Sequence, residues 1–149
     1  MKINAFADVS LRALLVLAAA PDGELVTTQS IADAVGTPYN HVSKAMAKLR
    51  TLGMIDVERG RNGGSRLSTA GRTATVGQLL RQLDTRLDPA DCMATGRTCP
   101  LITECRLRAA LARAREAFYR ELDGIEIASL PTARQMAPVF EAIGMRPGL

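Results

Sequence analysis

Tryptophan is absent from this chain of 149 residues, and three phenylalanines and two tyrosines make up an aromatic content of only 3%. The 47% apolar content must therefore build an aliphatic core, as in a soluble helical protein rather than a disordered one. Histidine occurs once, at His41. With no Ser/His/Asp arrangement, phosphate loop or dinucleotide fingerprint, enzymatic activity has little support. No apolar run approaches the ~18 residues needed to cross a bilayer. Ala13 to Ala20, with Lys2 and Arg12 nearby, imitates a secretory leader, but the run is short and Asp8 interrupts the basic residues. It is better read as a buried first helix, so a cytoplasmic protein without a membrane partner is expected. Three cysteines without an export signal make a closed disulfide framework a poor reading and point to metal or redox chemistry. The length suits one compact domain with an appended helix or two.

What is present is a succession of helices with punctuation. Residues 3 to 20 are rich in alanine and leucine and end at Pro21-Asp22-Gly23, a turn tripeptide. A short helix opens at Thr27 or Thr28, buries Ile31, Ala32 and Val35, and stops at Gly36. Thr37-Pro38 reads as an N-cap with proline in the first helical position, opening a helix to about Leu52 with the apolar stripe Val42, Ala45, Met46 and Leu49, closed by Gly53. That spacing is a helix-turn-helix. Met54 to Val57 and Ser65 to Thr69 then read as two strands around the loop Arg59-Gly60-Arg61-Asn62-Gly63-Gly64, a hairpin wing. Thr75-Val76-Gly77-Gln78 is a capping box opening a helix to about Arg86, with Leu79, Leu80 and Leu83 inward. Periodicity is lost over 87 to 103, a Pro/Gly stretch that something must organise. From Glu104 to Asp123 runs the longest helix, whose stripe Leu107, Leu111, Ala114, Phe118 and Leu122 fits a helix packed against a twin. The tail from Ile125, with Pro131, Pro138 and Pro147, offers at most a short helical piece and no site. The expected architecture is mainly α: a winged helix-turn-helix DNA-binding domain over residues 1–75, then a cysteine-bearing loop, a long dimerisation helix and a tail over 76–149.

Two constellations carry chemistry. Cys92, Cys99 and Cys105 form C-x6-C-x5-C, the last at the start of the long helix, where backbone N–H groups favour anionic sulfur. Thiolates select zinc or iron–sulfur clusters. Structural zinc calls for a closely spaced cysteine pair and a complete fourth ligand, so a cluster is the better fit. His41 is a poor candidate for the missing ligand. The second constellation is basic: seven basic residues from Lys44 to Arg72 stand against Asp56 and Glu58, a balance suited to a phosphate backbone. Thr28, Gln29 and Ser30 on the first helix of the motif, Pro38, Tyr39, Asn40, His41, Ser43 and Lys44 on the second, and Arg59 and Arg61 on the wing are the candidate DNA contacts.

These residues resemble the Rrf2 family of winged-helix regulators. The resemblance rests on Asp8-Val9-Ser10-Leu11-Arg12-Ala13-Leu14, on Pro38-Tyr39-Asn40-His41-Val42-Ser43-Lys44-Ala45, on Leu49-Arg50-Thr51-Leu52-Gly53, on the wing loop and on the cysteine loop, and covers nearly the whole chain. It implies a homodimer with crossing long helices, a cluster in each loop and a palindromic double-stranded operator. Within the family, Arg108 stands where an iron–sulfur-status branch would place a histidine ligand, which favours the nitric-oxide-sensing branch. The resemblance then implies Asp8 of the other subunit as fourth ligand, with Arg12 beside it, and a four-iron rather than a two-iron cluster. Nitric oxide would attack the cluster, the Asp8 contact would break and the dimer would release DNA. Asp8 also reads as an ordinary surface carboxylate paired with Arg12 at i,i+4. Asn62 replaces a glycine usual in the wing, which the tolerance of asparagine for left-handed backbone makes acceptable. A two-iron redox sensor of the same fold, an electron carrier and a zinc-stabilised DNA-binding module are the competing readings.

Overall fold

The computed structural model describes residues 3–84 and 99–149, so Cys92 lies outside the described residues. Its first element, α1 (Ala5–Ala19), begins where the Asn4 side chain accepts the Ala7 N–H at 2.7 Å. Ala7, Ala13, Leu14, Val16, Leu17 and Ala19 are buried, so α1 turns more than half its circumference into the core. The buried Ser10 hydroxyl is satisfied by donating to the Phe6 carbonyl at 2.8 Å.

Against α1 lie α2 (Thr28–Val35) and α3 (Tyr39–Thr51). Thr27 caps α2 by accepting the Ser30 N–H, and Gly36 ends it with φ +61, a conformation open to glycine at little steric cost. Thr37 does not cap α3 as its sequence suggests. Its hydroxyl turns back to the Val35 carbonyl, while Pro38, with φ −54, takes the cap position and its carbonyl accepts the His41 and Val42 N–H groups. At the other end the Gly53 N–H reaches the Arg50 carbonyl and the Met54 N–H the Leu49 carbonyl, a Schellman closure that buries Met54 against the helix it has just left.

The wing is β1 (Ile55–Glu58) paired antiparallel with β2 (Gly64–Leu67), Ile55 opposite Leu67 and Glu58 opposite Gly64. Two expectations are corrected here. The left-handed residue of the tip is Gly60, φ +118, and Asn62 does not have a positive φ, so it needs no special tolerance. The returning strand ends at Leu67, because the Ser68 hydroxyl donates to the Gly53 carbonyl and accepts the Gly71 N–H, capping a short helix α4 (Thr69–Thr73).

The capping box of α5 (Val76–Leu83) forms as read, with reciprocal Thr75 and Gln78 contacts. The helix ends at Leu83 rather than near Arg86, which is outside the described residues; Asp84 is already extended, with ψ 105. α6 (Arg106–Leu122) packs along α5. The closest approach is at Gly77, where a Cβ would stand 2.3 Å from Asp123 Oδ1 and 2.4 Å from the Tyr119 carbonyl oxygen. Gly77→Ala should therefore destabilise the protein by about 2–3 kcal/mol of overpacking even though alanine is the better helix former by about 1 kcal/mol. A urea midpoint unchanged or raised would show that α6 can move away freely.

The tail is not peripheral. A 3₁₀ turn, Ile127–Ser129, and α7 (Ala133–Ala142) bring Ile127 and Phe140, both 0% exposed, and Met136 into the same buried cluster as Leu14, Ile31, Val42, Leu49 and Leu79. Pro138 stands inside α7 without ending it. One backbone bond is forgone there, and burial of Met136 and Phe140 offsets it.

Candidate nucleic-acid interface and thiol centre

Burial of Val42, Ala45, Met46 and Leu49 turns the opposite face of α3 outward. Pro38, Tyr39, Asn40, His41 and Lys44 are exposed there, with Ser43 half-buried beside them. At the start of α2, Gln29 is exposed and donates to Asp33 at 2.8 Å, while the Ser30 and Thr27 hydroxyls lie 2.9 Å apart; Thr28 and Ser30 are half-buried. The hairpin lifts Arg59 and Arg61, both exposed. Tertiary structure sorts the basic residues of this region. Arg66 is held by Glu58 across the wing at 2.5 Å and Arg72 by Asp22 at 3.1 Å. Lys44, Lys48, Arg50, Arg59 and Arg61 have no ion pair among the described residues. Lys48 and Arg50 sit in the last turn of α3, where cations complement the helix dipole. Lys44 and the two wing arginines thus remain as free charge beside the exposed donors of α3, an arrangement suited to phosphates flanking a groove.

Sequence reasoning missed one feature of this face. Ala5, Phe6 and Val9 of α1 and His41 and Lys44 of α3 enclose a hollow of about 150 Å³. Phe6 is 37% exposed. Its one legible signal was an aromatic residue at the start of α1 whose i+3 partner, Val9, leaves the fully buried stripe.

Cys99 and Cys105 are free thiols, both half-buried. The Cys99 carbonyl accepts the Ile102 N–H at 3.1 Å, and Glu104, with φ +53, turns the chain into α6. Cys105 is the N-cap, its sulfur accepting the Arg108 N–H at 3.4 Å, so the thiol sits at the positive end of a helix of 17 residues. It opens onto a hollow of about 480 Å³ lined by Glu104, Arg106, Arg108 and Arg115 among others. Asp8, on α1, is bound by Arg12 at 2.9 Å. Among the described residues no group of three or more His, Cys, Asp or Glu converges in one chain, so Asp8 does not join Cys99 and Cys105 within it. Two soft thiol donors at a helix start ringed by guanidinium groups, and a carboxylate displayed elsewhere, fit a thiolate-ligated cluster with an oxygen donor from outside the chain.

Both flanks of the cysteine segment are tied together. Arg81 of α5 donates to both oxygens of Asp123 at 2.5 and 2.8 Å and to Glu116 at 2.9 Å, and lies 5.3 Å over the Tyr119 ring. Hydrogen bonding from Arg81 holds the Asp123 carboxyl below its usual range. Tyr119 in turn donates its hydroxyl to Asp84. The Tyr119 side of α6 is thereby committed to α5, and the expected twin-facing stripe is left outward: Leu107 is 66% and Leu111 37% exposed, with Phe118 and Leu122 half-buried. No helix among the described residues is long and apolar enough to cross a membrane.

A family profile described as an iron-dependent transcriptional regulator, Rrf2, matches residues 3–133. The chain is 40% identical over 148 residues to the HTH-type transcriptional repressor NsrR of Streptomyces coelicolor, covering 99% of each. In structure it is similar to T. potens IscR, with TM-score 0.67 and 21% identity over 87% of this chain and 85% of that one. It is likewise similar to CymR, the global cysteine regulator of B. subtilis, with TM-score 0.66 and 22% identity over 87% and 95%. A helix-turn-helix with an arginine-tipped wing, continued by a long helix that starts on a cysteine, is thus shared along the chain, which belongs to the Rrf2 family of transcriptional regulators.

Proposed function

We propose that this regulator is a homodimeric repressor that binds a palindromic DNA operator and responds to nitric oxide through an iron–sulfur cluster held by Cys92, Cys99 and Cys105 of one subunit and Asp8 of the other. The observation that carries the reading is Cys105 as a free thiol capping α6, with Arg108 and not a histidine in the following turn. The 40% identity to a repressor supports the sign of regulation, and the exposed Leu107 and Leu111 supply a self-complementary seam. When bound, the cluster, four-iron rather than two-iron, supplies iron that reacts with nitric oxide, most accessibly at the oxygen-ligated corner.

The residues of the chain do the rest. The Asp8–Arg12 pair is a surface i,i+4 contact, worth only ~0.3–0.5 kcal/mol, so Asp8 can exchange Arg12 for another partner at little cost. A carboxylate donated across the dimer ties α1 of one subunit to the start of α6 in the other. Because α1 packs directly on α3, that tie sets the separation of the two reading helices. In this arrangement the N-terminal residues of α3 enter the major groove, and Arg59 and Arg61 reach the adjoining minor groove.

The test is an oxygen-free preparation titrated with nitric oxide while visible absorption and operator binding are followed together. Bleaching of a brown chromophore in step with DNA release is the expected result. A colourless zinc protein, or DNA held after bleaching, overturns the sensing. Arg59→Ala and Arg61→Ala should each lower the slope of log affinity against log salt by about 1, with no change in the chromophore.

A further inference from the structure

Three surface features were left without a partner: the hollow between α1 and α3, the exposed leucines at the head of α6, and Leu101. The twin-facing seam accounts for Leu107 and Leu111. Leu101 is different. It lies outside α6 on the turn between Cys99 and Cys105, off the helical stripe, and at 75% exposure is the most exposed of the large apolar side chains described. An apolar side chain so displayed costs solvation unless something covers it.

The hollow is its complement. Phe6, Val9 and Ala5 form its apolar walls, His41 and Lys44 its rim, and its 150 Å³ is the size of cavity that accepts a benzene-sized group. It flanks Asp8 directly, since Val9 follows that residue and Phe6 lies two before it. On the proposed reading Asp8 of one copy meets the cysteines of the other, and the apolar neighbours of each must then face one another. One neighbour is a knob two residues after Cys99; the other is a hole beside Asp8.

We infer that Leu101 of one copy seats in the Ala5–Phe6–Val9–His41–Lys44 hollow of the second copy, and the reciprocal contact forms by symmetry. This inference rests on the proposed donation of Asp8 across the dimer. Its consequence is a lever. The hole is walled by the same His41 and Lys44 that face outward toward DNA, so withdrawal of Leu101 would leave two reading-helix side chains without their apolar support. The cysteine turn of one subunit thus bears on the recognition helix of the other by packing as well as by the carboxylate.

The absence of tryptophan makes the contact measurable. In Phe6→Trp the single indole reports the polarity of the hollow through its emission maximum, without reference to DNA binding or to the chromophore. Mixed dimers decide whose leucine covers it. Phe6→Trp chains exchanged into an excess of Leu101→Ala chains should emit to the red of the Phe6→Trp homodimer. The double variant Phe6→Trp/Leu101→Ala, exchanged into an excess of native chains, should return to the blue. A red shift that follows Leu101→Ala in the same chain, or no shift in either mixture, overturns the inference. Should Phe6→Trp fail to fold, Leu101→Trp exchanged against Phe6→Ala reads the same contact from the other side. The same samples with Asp8→Ala separate the two claims: a retained shift with a lost chromophore response faults only the carboxylate, and a lost shift with the chromophore intact faults only the leucine.

Discussion

Cys105→Ala is expected to abolish iron binding and visible absorption altogether, and with them any response of DNA binding to nitric oxide. The side chain has two roles, and they separate by magnitude. As N-cap it satisfies the Arg108 N–H, for which loss to alanine costs about 0.5–2 kcal/mol in hosts with oxygen caps and less for a sulfur acceptor 3.4 Å away. That is too little to unfold the domain. As a ligand its loss removes one of three thiolates. Cys105→Ser restores an oxygen cap without restoring a thiolate. It should therefore recover the helical signal of the native protein while remaining colourless. An alanine variant as strongly coloured as the parent would remove Cys105 from the ligand set.

Phe140→Ala is expected to cost ~3–5 kcal/mol, a large part of the stability of a domain this size. Phe140 is fully enclosed, together with Met136 and Ile127, by side chains of the helix-turn-helix unit. Truncation leaves a cavity that the neighbouring helices, each capped and bonded, cannot collapse to fill. The expected result is a lowered urea midpoint with an unchanged slope, and loss of operator binding in step with unfolding. A change under ~1 kcal/mol would be the signature of a surface residue and would return the tail to the peripheral status its prolines suggest.

How far the sequence reaches can be argued from particular residues. The helix-turn-helix was legible because Thr27, Gly36 and Gly53 act through their own backbone neighbours, and the stripe Val42, Ala45, Met46 and Leu49 repeats at helical spacing. The capping box at Thr75 and Gln78 was legible for the same reason. Where the reading slipped, a distant partner had intervened. Ser68 leaves the strand because the Gly53 carbonyl, fifteen residues earlier, accepts its hydroxyl. Pro138 is tolerated inside α7 because the helix has a core to bury its aromatic side chain in. Its other signs were local but slight: Thr132 accepting the Gln135 N–H, and apolar Met136, Val139 and Phe140 at helical steps.

The functional site divides the same way. Residue type and spacing alone identified the cysteines, the outward donors of α3 and the wing arginines, since soft ligands, hydrogen-bond donors and fixed charges are properties of side chains. Which of those charges stay available was decided in three dimensions, by Glu58 and Asp22 neutralising Arg66 and Arg72 and leaving Arg59 and Arg61 free. So was the outward turn of Leu107 and Leu111, which follows from α6 committing its Tyr119 side to α5 through Arg81 and Asp84. Local chemistry is written in the order of the residues; the balance of charge and the exposure of a face depend on what the fold brings beside them.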